Sequence, residues 1–253
     1  MSWWNFERKP SVREQRQNAM REGQRLAKLG RKLSPVAALE GRKIAASFWG
    51  NAWCENLESY RDYEYRLPRG RSYVRHGAVL HLDVSTGKIA ALVSGSEIYE
   101  VEITIKPLAQ THWSRIKTQC AGQIGSLIEL LEGRLSEGVM RIVTHPDDGL
   151  FPKPTEIQME CSCPDSATMC KHVAAVMYGV GARLDAQPGL LFLLRKVEHA
   201  ELVASAADFK AIRSGSKRKT IADNQLSDVF GIEIADAMPA VRTTTAKKPR
   251  RRK

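Results

Sequence analysis

The chain has no apolar run near the ~18 residues that cross a bilayer, so no membrane span is expected. Its opening residues, Met1-Ser-Trp-Trp-Asn-Phe6, contain no apolar h-region and no small-residue cleavage site, so no secretory signal is expected either. No internal repeat is evident. Gly122, Gly125, Gly179 and Gly181 do not make a phosphate loop or a dinucleotide fingerprint. No nucleophile stands beside a base, and no pair of carboxylates has metal-ligand spacing; Asp147-Asp148 reads as a turn. These absences argue against an enzyme. Acidic residues are few: 28 against 39 Lys and Arg, a net charge of +11. The first 43 residues carry eleven basic residues against four Glu, and residues 240–253 carry seven against none. Such a chain is attracted to polyanions, of which nucleic acid is the commonest. Basic tails that only keep the protein soluble are the plainer alternative. Cysteine is also sparse. Of five, three fall in one short stretch, leaving Cys54 and Cys120 as thiols that an oxidising compartment would put at risk. A cytoplasmic setting, nucleoid-associated included, is the expectation.

That short stretch is Cys161-Ser-Cys163-Pro-Asp-Ser-Ala-Thr-Met-Cys170-Lys-His172. Three thiolates and one imidazole fill a tetrahedral Zn²⁺ shell and leave no place for water, which is the structural arrangement. In an extended segment residues i and i+2 face one side, so Cys161 and Cys163 can address one ion. Glu156 to Glu160 alternate as a strand would, and Pro164-Asp165 suit a turn. Val173, Val176, Met177, Val180 and Leu184 fall at helical spacing, so Cys170 and His172 would open a helix. A redox dithiol more often has two residues between its thiols, beside a βαβ pattern, and neither feature is present. Four ordinary core residues remain the bland alternative.

The Cys-x-Cys, spacer, Cys-x-His pattern resembles the SWIM zinc finger, with all four ligand positions matched at Cys161, Cys163, Cys170 and His172. The spacer of six is at the short end for the family. The wider chain, roughly residues 45 to 210, resembles bacterial proteins that carry one such finger after an α/β region. The stretches concerned are Phe48-Trp-Gly-Asn-Ala-Trp-Cys-Glu-Asn-Leu57, Arg66-Leu-Pro-Arg-Gly-Arg-Ser-Tyr73 and Cys120-Ala-Gly-Gln-Ile124. The resemblance implies a DNA-binding or protein-binding module, often associated with Swi/Snf-type ATPases, and not an enzyme.

Along the chain the expected fold class is α+β. It is a three-stranded antiparallel meander covered by helices, then a small zinc-bound strand-loop-helix module and a helical segment, with disordered basic ends. Residues 1–33 read as a weakly ordered basic leader; Arg8, Arg13, Arg16, Arg21 and Arg25 would line a solvated or phosphate-facing helix if one formed. The α+β domain is placed at 34–154, the finger at 155–184, the helical segment at 185–212 and the basic tail at 213–253. Ser34-Pro35 suits a helix start, and Gly41 and Gly50 would interrupt the helix. Phe48, Trp49, Trp53 and Leu57 at helical spacing are core. Runs at 78–85, 88–94 and 98–105 alternate and are joined by Thr86-Gly87 and Gly95-Ser96. A helix over 108–132 presents Trp113, Ile116, Cys120, Ile124, Leu127, Ile128 and Leu131 to the sheet and ends at Gly133. A second helix covers 135–143. Further helices follow near 190–197 and 202–212, where His199 reads as a surface or capping residue. Leu226, Val229 and Phe230, with Ile232 and Ile234, make an apolar island after the basic knot Lys217-Arg-Lys219.

Residues 60–76 interleave five arginines with four tyrosines. Guanidinium groups bind phosphates bidentately, and tyrosine rings stack on bases. Arg66, Arg69, Arg71, Arg75 and Tyr73 are therefore the candidate nucleic-acid contacts, with Leu67-Pro-Arg-Gly-Arg71 read as a turn. A solvated loop is the equal alternative. The resulting expectation is a non-enzymatic, DNA-binding module with one structural Zn²⁺, accessory to a Swi/Snf-type ATPase. The alternative is a protein–protein adaptor that recruits a helicase partner without specific DNA recognition.

Overall fold

β1 (Val79–Ser85), β2 (Lys88–Ser94) and β3 (Ile98–Ile105) form the expected antiparallel meander, and β4 (Ile157–Cys161) adds a fourth strand beside β3. The computed structural model describes residues 11–37, 41, 43–60, 65–121, 135–202 and 204–205. The leader aromatics, the stripe from Ile124 to Leu131, Gly133, most of the 202–212 helix, the basic knot, the 226–234 island and the basic end lie outside the described residues.

The expectation of three strands is thus corrected to four. The fourth is the finger's own strand. Alternation explains the addition: Ile157, Met159 and Cys161 stand opposite Ile105, Ile103 and Val101, so the finger strand continues the apolar face of β3. The finger is therefore part of the main sheet. One face carries Leu82, Ile89, Ala91, Val101, Ile103 and Met159 into the core. In β1 the register shifts between Val79 and His81, an extra residue that lets Leu80 face the other way. There Leu80 meets Ala19 and Leu26 of a helix, α1 (Val12–Lys28).

α1 replaces the weakly ordered leader over those residues. A capping box starts it: the Glu14 amide donates to Ser11 Oγ, and the Ser11 amide donates to Glu14. Arg25 and Lys28 suit its C-terminal end. The Ser34-Pro35 helix start is also corrected. This segment runs extended beside β1, with Val36 N–H donating to Val79 and Leu82 N–H to Ser34. The bonds satisfy an edge that would otherwise be bare.

The core face is covered by α2 (Phe48–Glu58), α3 (Leu67–Arg75), α4 (Gln110–Ala121), α5 (Glu137–Val143), α6 (Lys171–Leu184) and α7 (Leu190–Leu194). Gly50 does not break α2; it lies inside it, where α2 crosses α6. A Cβ there would come within 2.8 Å of the Gly181 carbonyl oxygen and 2.5 Å of Asp185 Oδ1. α3 approaches α6 equally closely, since a Cβ on Gly70 would meet that of Ala174 at 2.4 Å. The Leu67–Arg71 turn is likewise corrected to the first half of α3. Leu67, Gly70 and Val74 recur at helical spacing and are buried, so packing on α6 stabilises a helix whose composition reads as loop. Trp53, Leu57, Trp113 and Cys120 are buried. Cys54 is buried too, which pushes its thiol up to about 12. His199 sits half-buried, edge-on to Phe192.

Candidate metal centre and the cationic face beside it

β4 delivers Cys161 to the core face of the sheet at its last position, and Cys163 follows two residues on. Ser162 stays tied to β3, since its amide donates to Glu100 and its hydroxyl accepts from the Glu100 amide. The chain then turns at Asp165, whose carboxylate accepts from the Ala167 amide, a local Asx-type bond. Cys170 is the N-cap of α6, and His172 lies in its first turn, 3% exposed. The four donor atoms of Cys161, Cys163, Cys170 and His172 all lie within 4.8 Å of one another. His172 Nδ1 is 3.8 Å from the sulfurs of both Cys161 and Cys170. Tetrahedral Zn²⁺ with ordinary Zn–S and Zn–N lengths sets such edges at about 3.5–3.8 Å.

The surroundings keep the histidine in its ligand form and oppose the thiolates. The backbone N–H groups of Val173 and His172 near Cys170, and of Cys163 near Cys161, work to lower the thiol values. Burial still pushes the Cys161 thiol up to about 12 and raises that of Cys170, so the ion must displace their protons. Burial, with help from the Lys171 charge, lowers His172 to about 4 and keeps it neutral, as a ligand must be. Its ring stacks on Tyr99 at 4.3 Å and meets Tyr73 edge-on at 5.4 Å, which fixes Nδ1 towards the sulfurs. Gly95 makes room for this, because a Cβ there would lie 3.1 Å from His172 Nε2. The donor set, its spacing and its burial fit one structural zinc ion held by Cys161, Cys163, Cys170 and His172.

Residues 158–180 match the family model of the SWIM zinc finger. This strand, knuckle and helix are the segment that matches the SWIM zinc finger. The chain is also 33% identical over 171 residues to a Mycobacterium tuberculosis protein described as "Uncharacterized protein Rv2102". That similarity covers 66% of this chain and 61% of the relative, so less than two thirds of the relative's length is spanned. No solved structure matches the chain.

The five candidate nucleic-acid contacts all belong to α3 or its N-cap, but they part in direction. Arg66 pairs with Asp165 of the finger spacer at 2.6 Å. Arg69 is exposed, and Tyr73 lies against His172. Spaced three and four apart, these three share one flank of the helix beside the finger. Arg71 turns the other way, to Glu58 and the ring of Tyr178. Arg75 takes its Nε into the interior, where that atom has no partner, and its carbonyl accepts from Arg16. The sequence reading missed Lys171, whose Nζ lies 5.3 Å from the Tyr73 ring centre. Its signal was in plain view, between two zinc ligands in Cys170-Lys171-His172.

Proposed function

We propose that the protein is a non-enzymatic DNA-binding module in which a structural zinc ion holds a cationic surface in place. The supporting observation is the row Arg66, Arg69, Tyr73 and Lys171, drawn from α3 and the finger helix and set beside the metal. Arg66 is fastened to the spacer by Asp165, while Arg69 and Lys171 remain to meet phosphates. Affinity of this kind comes from counterion release and falls steeply with salt. Anisotropy titrations of zinc-loaded protein with labelled DNA over a range of salt test it. The expected result is a linear fall in log affinity with log salt, made shallower by Arg69→Glu. Affinity that ignores both salt and Arg69→Glu contradicts it.

A role beside a Swi/Snf-type ATPase, in a cytoplasmic or nucleoid setting, belongs to the same proposal. The adaptor reading has its own support on the far side of the sheet. There an open groove of about 570 Å³ crosses the strands, lined in part by Glu100, Glu102 and Glu160. Glu102, paired with Lys88, and Glu160 stand directly opposite each other, and the groove carries more acidic than basic side chains. A protein partner with a basic surface suits it. Pull-down of a candidate ATPase with Glu100→Lys/Glu160→Lys protein separates the two roles. Loss of the partner with DNA affinity kept is the expected result, and an undiminished partner yield rejects the adaptor role for this face.

A further inference from the structure

We infer that Tyr65 is a base-stacking platform and that the favoured ligand is single-stranded nucleic acid. This rests on the DNA-binding reading above and sharpens it. Tyr65 is 90% exposed, so its ring face is free to meet a ligand. Among the described Phe, Trp and Tyr residues it is the one with an exposed ring. Tyr60, Tyr99 and Tyr178 are buried. Tyr73, the tyrosine that composition singles out, has its ring taken by His172 and Lys171. Phe48 packs on Trp49, with the Arg141 guanidinium over its ring.

The position of Tyr65 matters as much as its exposure. It precedes Arg66, whose backbone is already α-helical, and stands four residues before exposed Arg69. Tyr65 thus stands in the turn that leads into α3, at the same end of the helix as Arg69. Arg66 is clamped to the finger spacer, so the base of this platform is fixed to the zinc module. The first turn of α3 has no acidic residue of its own, and the Asp165 carboxylate beside it is paired with Arg66. An open ring and an open guanidinium at one helix end are the pairing that reads a splayed nucleotide, with the base on the ring and the phosphate on the cation. A duplex keeps its bases stacked on one another and offers the ring nothing.

The test compares full-length, zinc-loaded protein with Tyr65→Ala and Tyr65→Phe variants. Binding to labelled oligothymidylate and to a duplex of equal length is measured at one low salt concentration. Tyr65→Ala is expected to weaken oligothymidylate binding roughly 5- to 150-fold, the loss of one stacked base. Duplex binding should change less than twofold and Tyr65→Phe should retain single-strand affinity. Circular dichroism and zinc content check that the variants fold; at 90% exposure the ring contributes little to packing. Equal losses on both ligands, or none on oligothymidylate while wild type binds it, overturn the stacking role and leave the DNA reading standing. Wild-type protein that binds neither ligand overturns both.

Discussion

The two ends of α6 are secured by different physics. Its C-terminal half is held by packing and by hydrogen bonds from α2. Trp53 Nε1–H donates to the Met177 carbonyl at 2.8 Å, and Trp49 Nε1–H to that of Leu184 at 2.9 Å. Asp185, just past the helix, accepts from the Ala46 and Ser47 amides and from the Ser47 hydroxyl. Gly50 and Gly181 let the backbones close. The N-terminal end has a knuckle of small and polar residues, with Ser162, Pro164, Ser166 and Thr168 exposed. Met169 and Cys170 are buried there, but the exposed residues between the ligands add little apolar burial to set against the entropy of ordering the loop. One metal ion supplies what packing does not. The comparison teaches that the same helix can be destabilised locally at one end and globally at the other.

Removing the metal should give the largest effect. Structural zinc sites bind with apparent free energies of about 10–16 kcal/mol, and that energy is folding energy. Cys170→Ser, or a strong chelator, is expected to abolish hydrogen-exchange protection in β4 and the first turns of α6 first. Because β4 is a strand of the main sheet, β3 should loosen next. Protection that survives zinc loss in β4 would break the comparison.

At the packed end, Trp53→Ala should cost about 3–5 kcal/mol, the range for emptying a large aromatic site. The Met177 carbonyl loses its tryptophan donor as well. The loss should appear as a lower denaturation midpoint with zinc stoichiometry unchanged. Gly70→Val, which drives a side chain into Ala174, should cost about 1–3 kcal/mol or more by overpacking. Asp185→Ala should remove about 1–2 kcal/mol, as other lost caps do, and exchange should rise at the start of α2.

The smallest effect is a pH term. Burial works to raise the Glu156 carboxyl. The Lys153 amide and Arg195, both hydrogen-bonded to it, outweigh burial and hold it below its ordinary value. The folded value lies below the unfolded one, so this stability is present above the unfolded carboxylate range. It is lost as pH falls through the folded value. Glu156→Gln should flatten that limb of a stability-against-pH curve, and an unchanged limb would assign the acid sensitivity elsewhere.

How much was readable beforehand follows from the same contrast. The ligand set was legible because zinc demands particular atoms at short spacing, and Cys161, Cys163, Cys170 and His172 converge as expected. The meander was legible because Tyr99, Val101, Ile103 and Ile105 alternate over a single buried face. α3 was not, because Pro68 and Gly70 carry loop signals. Pro68 sits in the first helical turn, where its missing N–H costs nothing. Gly70 is there for contact with Ala174, which no local pattern records. Nor could spacing show that β4 would pair with β3, since long-range register leaves no short-range mark. The directions of Arg71 and Arg75 were hidden for the same reason: their partners, Glu58 and the interior, come from the fold.

The centre itself is tested most directly by zinc K-edge X-ray absorption on the purified full-length protein, alongside its metal content. The account predicts one zinc per chain, with three sulfurs near 2.3 Å and one nitrogen at about 2.0–2.1 Å. A shell with fewer than three sulfurs, or one completed by water oxygen, would contradict it.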